Sequence, residues 1–130
     1  MAEKVVEVLI PDGYKPKKVE REAAWILANH YKATVNILRP TMGYKEKTAY
    51  FQIGGECYEL KTPLTAKTDK VLTDIMNATK QAGIVVIDMR KTKIIEKRMT
   101  ELCGQAIRTM KKLDKLVLIV NKKKVLEFAK

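Results

Sequence analysis

Glu59 and Lys61 stand two residues apart at the end of a short apolar segment, Tyr50-Phe-Gln-Ile-Gly-Gly-Glu-Cys-Tyr-Glu-Leu-Lys61. The segment reads as two strands, 49–53 and 56–61, joined at Gly54-Gly55, a diglycine suited to the positive φ angles of a tight hairpin turn. Strand side chains alternate faces, so Glu59 and Lys61 point the same way. Glu56, at odd spacing from Glu59, points the other way. A carboxylate beside an ammonium can hold a cation, orient a water or exchange a proton. The same pair at a sheet edge would be an ordinary, weakly stabilising ion pair.

Other polar residues offer less. Asp88 and Arg90 follow the apolar run Ile84-Val-Val-Ile87, and functional groups gather at strand ends; a structural Asp–Arg pairing with the next helix is the competing reading. Glu20 and Glu22 fall near the start of a helix, where its dipole favours acids. His30 could serve as a general base, yet no partner in the sequence singles it out. Trp25 is expected in the core, and the aromatic residues are too few on any one expected face to argue for base stacking. Met99 and Met110 read as packing residues. Cys57 and Cys103 make no disulfide framework and no zinc spacing, and read as reduced, packed residues. There is no Walker loop, no G-x-G-x-x-G and no Ser-His-Asp spacing.

The elements that must position these residues follow from periodicity. Val5–Ile10 reads as a strand stopped by Pro11-Asp-Gly13. Helical spacing of Val19, Ala23, Ile26, Leu27 and His30 predicts a helix over 18–32. Ala33–Leu38 is a strand, 39–47 a loop, and Pro63 ends the second hairpin strand. A second helix, capped by Thr68 or Asp69, is expected to reach Ala82 with Leu72, Ile75, Thr79 and Ala82 inward and Gly83 as its stop. Ile84–Asp88 is apolar throughout, as in a strand covered on both faces. A third helix over 92–112 would bury Ile95, Met99, Leu102, Ala106, Met110 and Leu113. Leu116–Val120 is a further buried strand, and Val125–Phe128 an edge pairing after Asn121-Lys-Lys-Lys124. The expected fold is α/β, a mixed sheet flanked by three helices, in one domain over 1–130.

Composition narrows the partners. The net charge is +11. Residues 1–65 hold 10 Lys/Arg against 8 Asp/Glu, and residues 66–130 hold 16 against 7. A chain this basic attracts polyanions, nucleic acid first among them, or an acidic protein partner. Arg98, Arg108, Lys111 and Lys112 share the polar side of the third helix and its end, and could follow a phosphate backbone. The longest apolar runs are far too short to span a bilayer, no signal peptide is visible, and the cysteine usage suits a cytoplasmic site of action.

Three stretches carry a resemblance: Glu59-Leu-Lys-Thr-Pro63, Asn77-Ala-Thr-Lys-Gln-Ala82 and Ile87-Asp-Met-Arg-Lys-Thr-Lys93. In order and spacing they are similar to the tRNA-nuclease toxin domains at the C-termini of CdiA proteins, relatives of which end phage minor-head and mobile-element proteins. The arrangement also resembles the PD-(D/E)XK nuclease fold, with an α-β-β-β-α-β core over about 18–88 and an extra C-terminal helix and strand. The resemblance implies that Glu59 is a catalytic or metal-binding carboxylate and Lys61 the water-orienting base. Thr62 would donate to phosphate, while Lys80, Gln81, Arg90, Arg98, Arg108 and Lys112 would contact nucleic acid. A divalent metal, Mg or Mn, would be held by Glu59 with Glu22. The family pattern has an acid just before the hairpin, where this chain has Ala49-Tyr50 or at best Gln52. The chain is then metal-independent, or recruits Glu22, or is a degenerate member. An endonuclease cleaving RNA, tRNA above all, is the expected function, acting after delivery as part of a larger protein and met by a cognate immunity protein. A nucleic-acid-binding module that has lost activity and a basic protein-interaction domain of a phage or mobile element are the alternatives. A barnase-like ribonuclease would lack the helix at 68–82.

Overall fold

Seven strands join in one sheet in the order in which they occur along the chain. The computed structural model describes residues 5–38 and 49–130. Its elements are β1 (Val8–Leu9), α1 (Lys18–Tyr31), β2 (Val35–Leu38), β3 (Ala49–Ile53), β4 (Glu56–Lys61), α2 (Thr68–Ala78), β5 (Ile84–Asp88), α3 (Glu96–Thr109), β6 (Lys115–Asn121) and β7 (Lys124–Ala129). β1 and β2, β4 and β5, and β5 and β6 pair in parallel; the other neighbours are antiparallel. Parallel neighbours need a crossover, and α1, α2 and α3 supply one for each parallel pair. Each helix therefore starts at the carboxyl end of the parallel strands. That end is where open α/β sheets build their clefts.

The sheet has a core on each face. α1 lays Ala23, Ala24, Leu27 and Ala28 on Val35, Ile37, Phe51, Leu60, Val86 and Ile119. α2 and α3 cover Val85, Ile87, Leu116 and Leu118 with Val71, Ile75, Met99 and Leu102. β5 is buried along its whole length, as its uninterrupted apolar run requires. Gly54 and Gly55 take φ of 58° and 84°, the backbone a two-residue hairpin demands and the reason two glycines stand there.

The hairpin and β5 fall where the sequence places them; the helices are shorter. α2 buries Val71, Ile75 and Ala78 rather than the expected stripe, and stops at Ala78. There the Thr79 hydroxyl donates to the Met76 carbonyl at 2.6 Å, and Gln81 and Ala82 close turns onto Ala78. Thr92 accepts from the Ile94 N–H and donates to the Thr65 carbonyl, which holds 92–95 as a loop. α3 thus begins at Glu96 with Ile95 exposed. The sheet also has more strands than the expected core: β1 lies on one flank, β6 and β7 on the other. The expected loop over 39–47 lies outside the described residues.

Candidate functional site

β4 is the middle strand of the seven, so Glu59 and Lys61 do not lie at an edge. Glu59 is 0% exposed, and Lys61 Nζ lies 3.6 Å from its Oε1 with the lysine side chain 15% exposed. Register sets Glu59 level with Val85 and Lys61 with Ile87. Paired residues share a face, so both belong to the α2/α3 side of the sheet. On the other side of β4, Tyr50 of β3 is the direct cross-strand partner of Glu59, close enough for their side chains to interact. The half-buried Thr62 follows as the chain leaves the sheet. A carboxylate taken wholly out of water needs compensation; the Lys61 ammonium, with an edge in solvent, links it to the surface.

Asp88 is the second fully buried acid. It shares strand parity with Val86 and therefore faces α1. Arg90 grips it with a fork, Nε to Oδ1 at 2.8 Å and Nη2 to Oδ2 at 2.7 Å, and its backbone N–H donates to Oδ1 at 3.1 Å. Arg90 Nη2 also donates to the Val19 carbonyl, and Nη1 lies 3.8 Å from Glu22 Oε2. The Asp88 hydrogen bond raises the Arg90 pKa despite partial burial. This network joins the end of β5 to the start of α1. It draws Glu22, expected beside Glu59, to Arg90 on the opposite face, and it gives Arg90, expected at nucleic acid, a set of internal partners.

A divalent cation wants several oxygen ligands. Among the described residues no three His, Cys, Asp or Glu side chains come together as a metal-ligating group. Glu22 is turned to Arg90 and Asp88 is held in the fork, so neither stands beside Glu59.

The expected nucleic-acid contacts divide between the two ends of the sheet. Lys80 and Lys112 line one shallow depression of about 270 Å³ with Lys111 and Thr109. This depression and Gln81 lie by the turn that leads into β5, toward the end where β5 begins; Lys61 lies three register positions further along. The Gln81 Oε1 is buried with no hydrogen-bond partner. Arg98 is exposed on the first turns of α3, 3.3 Å from Glu101, and Arg108 is exposed on its last turn. One helix length, roughly 20 Å, separates the ends of this basic line.

Two features escape a reading of the sequence. Trp25, expected inside, is 47% exposed. The second is a network at the amino end of the sheet. The Tyr31 hydroxyl donates to Glu127, and Lys115 Nζ lies 3.3 Å from both Glu127 and the Tyr58 hydroxyl. Lys115 sits over the two tyrosine rings, 5.0 and 5.3 Å from their centroids. Burial and the Glu127 bond push the Tyr31 phenol far up. The exposed His30 packs edge-on against Tyr31. No local signal could announce a contact between residues 96 apart in sequence. Both cysteines are free, as expected, and Cys103 is buried, which pushes its thiol up to about 12; Cys57, expected to be packed, is exposed.

The fold and its central pair define an α/β domain with three helices on a mixed sheet and one buried acid–lysine site. Residues 47–125 match the family described as the contact-dependent growth inhibition CdiA C-terminal domain. The chain belongs to that family, whose members are by that description parts of a larger protein. Among solved structures it is similar to one described as a CdiA-CT/CdiI toxin and immunity complex from Burkholderia pseudomallei, with a TM-score of 0.66. That likeness covers 95% of this chain and 99% of the other at 16% identity, so it speaks for the fold. Comparison with curated proteins gave no match. Among the described residues no helix is long and apolar enough to cross a membrane.

Proposed function

We propose that the chain is a toxin endonuclease that cleaves RNA, with tRNA as the favoured substrate. The observation that carries this reading is the buried Glu59 beside the part-exposed Lys61, 3.6 Å apart on the central strand and inside the family-matched segment. Burying a charge pair is poor economy for stability alone, since an apolar pair often serves as well. Glu59 is out of reach of substrate, so it acts as a positioning residue that aims Lys61. Lys61 touches the phosphodiester, where an ammonium stabilises the charge that builds up on phosphorus oxygens. The Thr62 hydroxyl assists by donating to the same phosphate. RNA is favoured over DNA because its 2′-hydroxyl can attack the adjacent phosphorus without a metal-activated water: the 2′-O–P bond forms, the P–O5′ bond breaks, and the 2′-proton passes to solvent while the departing 5′-oxygen takes one from it, leaving a 2′,3′-cyclic phosphate. The order α1-β2-β3-β4-α2-β5 is the PD-(D/E)XK-like core, with Tyr50 beside the place of the missing acid. Lys80, Gln81, Arg98, Arg108 and Lys112 extend the contact along the substrate. Action is cytoplasmic, after delivery on a larger protein, and a cognate immunity protein is the partner, by analogy with the related complex.

The test is purified protein with tRNA. Cleavage is expected with or without EDTA, and Lys61→Ala is expected to stop it. Cleavage abolished by EDTA would restore a metal to the site. A second reading, a binding module without activity, is favoured by Tyr50 alone; tRNA that stays intact under all metals but is retained at low salt would establish it.

A further inference from the structure

Trp25 is the chain's one tryptophan, and it stands out of the core on α1. It lines an open groove of about 460 Å³ with Lys18, Arg21, Asn29 and Lys122. Lys122 comes from the β6–β7 turn, so two distant segments build the groove. The floor is Ile26, from the buried side of α1. Glu22 also lines it, but its carboxylate is turned to Arg90 at 3.8 Å. The lining therefore presents three cations around a half-exposed indole.

We infer that this groove binds one unpaired base of a single-stranded polynucleotide, stacked on Trp25, with Lys18, Arg21 and Lys122 on the flanking phosphates. A base offers a flat π-face whatever its identity, and an exposed aromatic with cations beside it is the matching surface. An acidic protein would satisfy the cations but has no need of the indole face; charge on both sides and a flat aromatic together select nucleic acid. Location supports the choice. Lys18 opens α1 at the carboxyl end of the parallel strands, and Lys122 closes β6 at the same end. Lys61 reaches that end from β4 on the opposite face. A strand passing over this end of the sheet meets the Trp25 groove on one side and Lys61 on the other. The inference extends the proposed RNA substrate by assigning it a second point of attachment, and rests on that reading for the substrate's class.

With a single tryptophan among five tyrosines, fluorescence excited at the red edge, where tyrosine does not absorb, reports this groove. In Lys61→Ala protein, titration with a single-stranded oligouridine at low salt is expected to quench Trp25, and a blunt RNA duplex to quench it far less. In the native chain, Trp25→Ala is expected to weaken oligouridine binding roughly five- to hundredfold, the range of one base stack. Trp25→Phe, which keeps an aromatic face, should recover most of the loss. An exposed position makes both variants compatible with folding, and circular dichroism checks it. Equal quenching by polyglutamate at matched charge would overturn the inference, since it carries charge but no base. So would unchanged binding by Trp25→Ala. The two readings separate: quenching without any tRNA cleavage by the native chain leaves the groove and removes the nuclease, whereas cleavage without quenching does the reverse.

Discussion

Glu59 and Asp88 sit on adjacent strands, both 0% exposed, on opposite faces of the sheet. Their surroundings differ. Arg90 meets Asp88 with two side-chain hydrogen bonds under 3 Å and a backbone bond. Lys61 stands 3.6 Å from Glu59, an ion pair longer than a good charge-assisted hydrogen bond. The first arrangement closes on itself and ties two elements together. The second joins its acid to a lysine with an edge in solvent. A rigid planar fork suits architecture, and a compact ammonium at the solvent boundary suits contact with an incoming anion.

The largest effect that would break this contrast is on activity. Lys61→Ala is expected to lower tRNA cleavage by about 10²–10³-fold or more, with circular dichroism unchanged and the unfolding midpoint in urea lowered, because Glu59 stays buried after its ammonium is removed. Loss of fold instead would make Lys61 a clamp like Arg90. Next comes stability on the other face. Asp88→Ala leaves a mostly buried guanidinium with only the Val19 carbonyl and the more distant Glu22 and is expected to cost about 3 kcal/mol, the low end for a broken buried pair, in denaturant unfolding. Glu59→Gln, whose lysine can turn to water, is expected to cost less than half as much by the same measurement; an equal cost would erase the difference between the two acids.

Acidity sharpens the picture at the far end. Burial pushes the Glu127 carboxyl up, but Tyr31 and Lys115 outweigh it and hold it below its ordinary value. A carboxyl with a depressed folded-state pKa contributes stability above its unfolded pKa and loses it as pH falls. The native chain should therefore exceed Glu127→Gln in stability above about pH 4.3 and lose that margin below it. Glu127 is 41% exposed, so the margin is expected to stay under about 1 kcal/mol. Tyr31 is raised instead, and its contribution is lost as pH climbs past about 10. Smallest of all, Lys70→Ala removes an exposed pair with Asp74 at 3.3 Å and should cost about 0.3–0.5 kcal/mol in thermal unfolding.

What was legible in the sequence was whatever neighbouring residues decide. Gly54-Gly55 and Pro63 fixed the hairpin and its end, and the apolar run of β5 announced a doubly covered strand. Helix ends were not legible: Thr79 bonds back within its own last turn, a choice its type does not dictate, and Thr92 bonds to Thr65, which only the folded chain brings near. The side of α1 that Trp25 occupies was misread for a related reason. An indole fits a hydrophobic stripe by type, but small residues, Ala23, Ala24 and Ala28, take the buried side and let the helix lie close to the sheet. The Glu59–Lys61 pair was visible from spacing. Its burial and the turning of Glu22 to Arg90 depend on pairings across the sheet that no local pattern encodes.

The sheet whose strand order follows chain order has a kinetic consequence. The antiparallel pairs that bracket short turns close locally, whereas each parallel pair waits for a whole helix to cross over. Local contacts form quickly and non-local parallel pairing slowly. The β3–β4 and β6–β7 hairpins can therefore form first, with the three crossovers setting the pace of the sheet.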